Sequence, residues 1–424
     1  MDKPIIDKII ELIKSEVVPA CGCTEPAAVS LCVAKATELL GALPDSITLL
    51  LSGNIIKNAM GVGIPGTGMI GLPIAVALGA ICGKSEYGLE VLRDVNPDAL
   101  KAGKRYVDDN HIKIQHKDNA LSNLYIEVHV EADGHTACAV ISGAHTNFVY
   151  LDKDGRVSLK KSAGSEAGAE NHIKLDYAQV YEFAMTAPLE EIEFMLEAGE
   201  MNLRAAKEGL KQNYGHCLGA LLSRQGKQFL GDTPLMHIVS MTSAACDARM
   251  GGAQVSVMSN SGSGNQGITA TLPVLTYARD CNASHEQEVR ALTLSSLTSI
   301  YIKQSLGRLS ALCGCVVAST AASAGITYLM DGDYDRVCAS IKNMVANLTG
   351  MICDGAKPSC AMKIASGVYT ALMSAVMAIN DQCVSSAEGI VDNNIDKTIR
   401  NLTCIGREAM DETDRKVLQI MVDK

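Results

Sequence analysis

Four polar, glycine-rich segments interrupt the apolar stretches of this chain, and they hold most of the residues able to do chemistry. They are Ala20–Pro26 (ACGCTEP), Gly143–Asn147 (GAHTN), Asp247–Gly267 (DARMGGAQVSVMSNSGSGNQG) and Gly350–Lys363 (GMICDGAKPSCAMK). Loops carried on a rigid scaffold are where binding groups usually sit. In the first segment Cys23 falls at or just before a helix start, with Thr24 as N-cap and Pro26 early in the helix. A thiol there is expected to ionise more readily, through the helix dipole. In the second, His145 follows a strand-like run and could act as a base or satisfy a buried backbone group. In the third, Ser259–Gly267 combines glycines with Ser259, Asn260, Ser261, Ser263, Asn265 and Gln266. Exposed backbone N–H groups and uncharged donors suit a small polar ligand such as an amino-acid carboxylate. No Gly-Lys-Ser/Thr follows, so it is not a Walker A loop. Composition alone leaves a polar surface linker equally open.

The thiols form a separate question. The chain has 15 cysteines, an odd count at irregular spacings, which argues against a disulfide framework. Most are then small core residues. Cys353 and Cys360 flank a Gly/Pro loop, and Cys313 and Cys315 form a CGC about forty residues earlier. Three thiolates converging from such positions could hold a cluster and leave one iron free, although the ferredoxin spacings are missing. Paired CxxC motifs and HExxH are also missing. Lys363 invites a pyridoxal-phosphate reading, but no phosphate cup accompanies it. Asp247 and Arg249 read as a structural ion pair.

Composition narrows the class. Of 424 residues, 47% are hydrophobic and 20% charged, which is ordinary globular protein. Trp is absent, aromatics are 4% and net charge is −10, so nucleic acid and anionic lipid are poor partners. Met1–Val18 is amphipathic and charged, not a leader. The apolar run Met69–Cys82 falls short of the ~18–20 residues of a membrane span. A cytoplasmic protein acting on a small amino acid is expected, with a homodimer as the default assembly.

The elements that must carry these residues are predicted as follows. Pro4–Val17 is helical, with Ile5, Ile6, Ile9, Ile13 and Val17 on one face. Ala27–Leu40 is a second helix, Ile47–Ser52 a strand, Gly61–Gly71 a loop, and the run after it a buried helix. Ala99–Asn110 is helical. Ile112–Gln115, Leu124–Val130 and Ala137–Ser142 have strand periodicity, with Asp133-Gly134 as a hairpin turn. Ser162–Asn171 is a linker, and from Tyr177 onward the pattern is helical. The fold class is therefore α+β: a mainly helical catalytic domain, 1–89 and 170–424, with a small inserted α+β subdomain, 90–169.

Taken together, GCTEP (22–26), IPGTGMIGLPIA (64–75), GAHTN (143–147), SAACDARMGGA (243–253), SNSGSGNQGITAT (259–271), RLSALC (308–313) and GMICDGAKPSCAMK (350–363) resemble the L-cysteine desulfidase family. That family is related to the alpha chain of iron–sulfur L-serine dehydratases. The resemblance runs nearly end to end and in order. It implies an oxygen-labile [4Fe–4S] cluster on Cys313, Cys353 and Cys360. It also implies Cys23 as proton acceptor, and conversion of L-cysteine to pyruvate, ammonia and hydrogen sulfide. Thr24, Glu25, His145, Thr146, Asn147, Ser259, Asn260, Ser261, Gly262, Ser263 and Asn265 are the substrate-binding candidates. Two departures stand out: Cys21 precedes Cys23 where an apolar residue is more usual, and Cys315 shadows Cys313. L-Serine dehydration is the neighbouring reading. A non-catalytic amino-acid binder would need the Gly/Ser/Asn loop but neither Cys23 nor a cluster.

Overall fold

The computed structural model describes residues 1–161, 173–307 and 310–423. The expected linker Ser162–Asn171 and the first two residues of RLSALC lie outside these. Most of the described chain is helical, around one six-stranded sheet and one two-stranded pair.

The larger sheet contains β2 (Ser46–Leu51), β3 (Ile112–His116), β4 (Tyr125–Ala132), β5 (His135–Ser142), β6 (Phe148–Lys153) and β7 (Arg156–Lys160), in the order β3-β2-β4-β5-β6-β7. Only β2 and β3 are parallel. Alternation along β2 sends Ile47, Leu49 and Leu51 inward, where they meet Ile126, Val128, Ala139 and Ile141. Helix Thr24–Leu40 covers that face with Val29, Leu31 and Val33, and helix Leu72–Ile81 adds Val76 and Ala77. Asp133 and Gly134 both take left-handed φ, 50° and 76°, as the tight β4–β5 turn demands. Strands β6 and β7 were not expected. Arg156–Lys160 is a mostly exposed edge without an apolar face, although Asp154-Gly155 repeats the turn signal. β2 comes from the part of the chain before residue 90 yet lies between β3 and β4, so the sheet is built from both sides of that position.

The helical portion packs around Gly314–Leu329, which is buried along nearly its whole length. Its neighbours are helices Gly264–Asp280, His285–Leu306, Tyr334–Leu348 and Cys360–Ile379. Small residues let these helices approach closely: a Cβ on Gly325 would stand 2.8 Å from the Ala291 carbonyl oxygen. Cys360–Ile379 is also long and apolar enough to cross a membrane, but half of that stretch is buried in protein, and Lys363 lies within it.

Two small main-chain pairings bring the motifs together. β1 (Pro19–Cys21) runs antiparallel to β8 (Ser256–Met258), with Cys21 opposite Ser256. That register sets GCTEP beside SNSGSGNQG. Leu312 and Ile352 form an isolated bridge, with Cys313 N–H donating to Met351 O and Cys353 N–H to Ala311 O.

Gly267, in the first turn of helix Gly264–Asp280, touches β8. A Cβ there would fall 1.9 Å from Met258 O, so Gly267→Ala is expected to lower stability by roughly 2–4 kcal/mol. Gly350, with nothing within 4 Å, serves as control, and Gly350→Ala should unfold at the wild-type urea midpoint.

Candidate active site

A cavity of about 120 Å³ lies where the sheet meets the helical core. Its wall includes Cys23, Thr24, Glu25, His145, Ser261, Gly262, Ser263, Asn265, Cys313, Cys353 and Cys360. They arrive from several elements. β1 ends at Cys21, and Gly22, with φ +70°, swings the chain into the helix. A Cβ on Gly22 would stand 2.6 Å from Pro65 Cγ, so conformation and space both call for glycine. Cys23, not Thr24, is the N-cap of Thr24–Leu40, and its side chain caps nothing. The Cys23 thiol instead points to Glu25, donating to Oε2 at 3.0 Å. The Thr24 hydroxyl lies 3.0 Å from the same oxygen and 3.3 Å from Gly262 O.

β5 delivers His145. Its Nε2 stands 3.9 Å from Glu25 Oε1 and has no hydrogen-bond partner among the described residues. Asn147 does not reach the cavity: its amide donates to Ser142 O at 2.9 Å and closes the turn that aims His145. Thr146 is exposed. Ser259 and Asn260 also stand behind the wall. Ser259 Oγ donates to Val18 O, and Asn260 Nδ2 to Ser296 O. Ser261 and Gly262 form a tight turn between the paired Asn260 and Ser263, and it presents them to the cavity.

The electrostatics reverse one expectation. The Cys23 thiol was predicted to ionise readily at its helix start. Burial, and next the Glu25 carboxylate beside it, push it well above the ordinary thiol range. The helix dipole is outweighed because the cysteine is 3% exposed and faces a negative charge. For Glu25, burial works to raise the carboxyl, but contacts from His145 and Cys23 outweigh it and bring it from 4.5 to about 2.

The trio of Cys313, Cys353 and Cys360 lines one side of the cavity, joined by Cys315. Burial, then Cys353, pushes Cys313 up to about 12. The Cys315 thiol donates to Lys363 O at 3.1 Å. Lys363 is not a free amine awaiting an aldehyde: it binds Asp354 and donates to Ile352 O at 2.9 Å. Lys357 also holds Asp354, at 2.6 Å. These contacts shape the loop between Cys353 and Cys360. Among the described residues no group of three or more His, Cys, Asp or Glu surrounds a point suited to a single metal ion. Thiols spread around a cavity are what a polynuclear cluster takes, each thiolate on its own iron. The donor set therefore fits a [4Fe–4S] group.

Cys21 does not line this cavity. It faces a second one of about 270 Å³, which Cys23 also borders, with Pro65, Leu92 and Arg93. The sequence reading named Gln266 in the Gly/Ser/Asn loop, missed Asn54 and Asn58 as wall residues and misassigned Arg249. Asn54 and Asn58 stand four residues apart on helix Gly53–Ala59, a polar face on an otherwise buried helix that the sequence displays. Asp247 and Arg249 do not pair: Asp247 Oδ2 accepts from Gly219 N–H at 2.9 Å, and Arg249 Nη1 donates to Asn265 Oδ1 at 3.0 Å.

Comparison with known proteins assigns this helical core, histidine-bearing sheet and thiol-lined cavity to a lyase-type family. The serine dehydratase alpha chain family matches residues 86–419, and the chain belongs to that family. Full-length relatives carry the name UPF0597 protein. The one from Phocaeicola vulgatus is 60% identical over 100% of this chain and 99% of its own. Those from Oleidesulfovibrio alaskensis and Actinobacillus pleuropneumoniae are 46% and 42% identical, covering 100% and 98% of this chain and 100% and 97% of their own.

Glu25 yields a pH prediction. Its folded value lies below the ordinary one, so its contribution to stability is present above about 4.5 and lost as pH falls through about 2. The stability gap between wild type and Glu25→Gln should be flat above pH 5 and shrink steadily below it, as read by urea unfolding at each pH.

Proposed function

We propose that this chain is an iron–sulfur-dependent L-cysteine desulfidase, releasing pyruvate, ammonia and hydrogen sulfide from L-cysteine. The observation that carries the reading is the meeting of Cys313, Cys353 and Cys360 with the Cys23–Glu25–His145 group around one cavity. Cys313, Cys353 and Cys360 would hold the cluster. When bound, a [4Fe–4S] group on three thiolates supplies Lewis-acid chemistry at the iron that lacks a protein ligand.

The chain's own residues handle the proton. Cys23 rests as a thiol whose hydrogen has a prepared acceptor 3.0 Å away, Glu25 Oε2. Once that proton has left to solvent, burial and the neighbouring Glu25 carboxylate make the remaining thiolate a strong base. Cys23 Sγ then takes the α-proton of the bound amino acid. The Cα–H electron pair forms the Cα–Cβ double bond as sulfide leaves from the β-carbon. The aminoacrylate product tautomerises and hydrolyses without further help. His145 stands against Glu25 and steadies its charge, and the Ser261–Gly262 turn limits where substrate lies. Thr146, Asn147, Ser259 and Asn260 support these groups from behind.

Dehydration of L-serine is the second reading, favoured by the family's description as serine dehydratase alpha chain. The same proton transfer would then accompany loss of hydroxide.

The deciding measurement is pyruvate release by anaerobically reconstituted protein, with L-cysteine and L-serine assayed side by side. Absence of pyruvate from both would overturn the lyase reading. Cys23→Ala should keep the iron and sulfide content and lose at least ~100-fold in turnover. Cys353→Ser and Cys360→Ser should lose iron, whereas Cys315→Ser should keep it.

A further inference from the structure

Arg249 lies at the end of helix Pro234–Met250 and is 2% exposed. Of its guanidinium nitrogens only Nη1 has a partner among the described residues, and that partner is the neutral Asn265 amide. No carboxylate among the described residues pairs with it; Asp247 is turned toward the backbone of Gly219. A buried guanidinium without an anion is strongly unfavourable unless a ligand completes it. The residue lines the reaction cavity. Its charge is felt by Cys21, Cys23 and Cys246, while Lys363 acts on Cys313 and Cys360. Arg249 thus belongs to the proton-handling side of the cavity.

The same wall carries bare acceptors. Gln266 Nε2 donates to Asn260 O at 3.0 Å, which fixes the amide and leaves Oε1 buried without a donor. Asn54 Oδ1 is likewise buried and unpartnered. A planar cationic fork and two orphan acceptors in one small cavity complement a carboxylate and an ammonium group on the same carbon.

We propose that Arg249 anchors the α-carboxylate of a small amino acid beside Cys23, with Gln266 Oε1 and Asn54 Oδ1 taking its α-ammonium. This rests on the lyase reading for the choice of cavity. Asn265 is then a positioning residue: its Oδ1 holds the guanidinium so that the remaining N–H groups face the substrate.

Calorimetric titration of the anaerobically reconstituted protein tests this with L-alanine, which has no β-leaving group, and ethylamine, which lacks the carboxylate. Wild type should bind L-alanine at least ~100-fold more tightly than ethylamine. Arg249→Gln should weaken L-alanine ~100-fold and leave iron content and ethylamine binding unchanged. Arg249→Lys, which keeps the charge but not the fork, should lose ~10-fold, and so should Asn265→Ala. L-Alanine affinity within twofold of wild type in Arg249→Gln, or no L-alanine binding to wild type at millimolar concentration, overturns the assignment. If Arg249→Gln does not fold, the Arg249→Lys and Asn265→Ala values decide by the same twofold criterion. Arg249-dependent L-alanine binding without pyruvate from cysteine or serine would sink the lyase reading alone. Pyruvate release with unchanged KM in Arg249→Gln would sink the anchor alone.

Discussion

Two short main-chain pairings govern this molecule: β1 against β8, and Leu312 against Ile352. Each joins segments far apart in sequence and spends only a few hydrogen bonds. The first sets Cys23 and Glu25 beside the Ser261–Gly262 turn. The second sets Cys313 beside Cys353. The cavity wall mixes polar groups with residues of the main apolar core, among them Leu312 and Ile364, and these ties set its register. The close helix packing around Gly314–Leu329 provides the stiffness against which these pairings act.

Charge inside the cavity is arranged in two regions. Cys23, Glu25 and His145 stand together, with Arg249 on the same cavity wall. The thiol trio sits with Lys363 and Lys357, both held by Asp354. Burial raises the Cys23 thiol on one side and the Cys313 thiol on the other, and the Glu25 carboxylate raises Cys23 further.

Much of the fold was legible. Period-two alternation marked β2, β4 and β5, and paired positive φ at Asp133-Gly134 matched the turn signal. The edge hairpin β6–β7 was not seen, since an exposed edge has no apolar face to betray it. At the site, the long motifs marked Cys23, Cys313, Cys353 and Cys360, but proximity to a helix start misjudged the Cys23 thiol. Sequence shows the helix; it does not show that the sulfur is buried against a carboxylate. Arg249 was read as bound to Asp247 because they are near neighbours on one helix, yet two residues apart on a helix point in different directions. The GAHTN and SNSGSGNQG segments both reach the cavity wall, while Asn147, Ser259 and Asn260 stand behind it and Thr146 is exposed. Loop composition does not separate a wall residue from the brace behind it.

The larger sheet has one further meaning. β2 leads directly into the helix bearing Asn54 and Asn58, and β5 ends at the loop bearing His145. The helical portion alone carries Cys313, Cys353 and Cys360, whereas His145, Asn54 and Asn58 reach the cavity from the sheet side. A graft that kept the helices and exchanged the sheet would inherit the three thiols with no histidine facing Glu25. In this architecture the two portions must diverge together, as halves of a single reaction vessel.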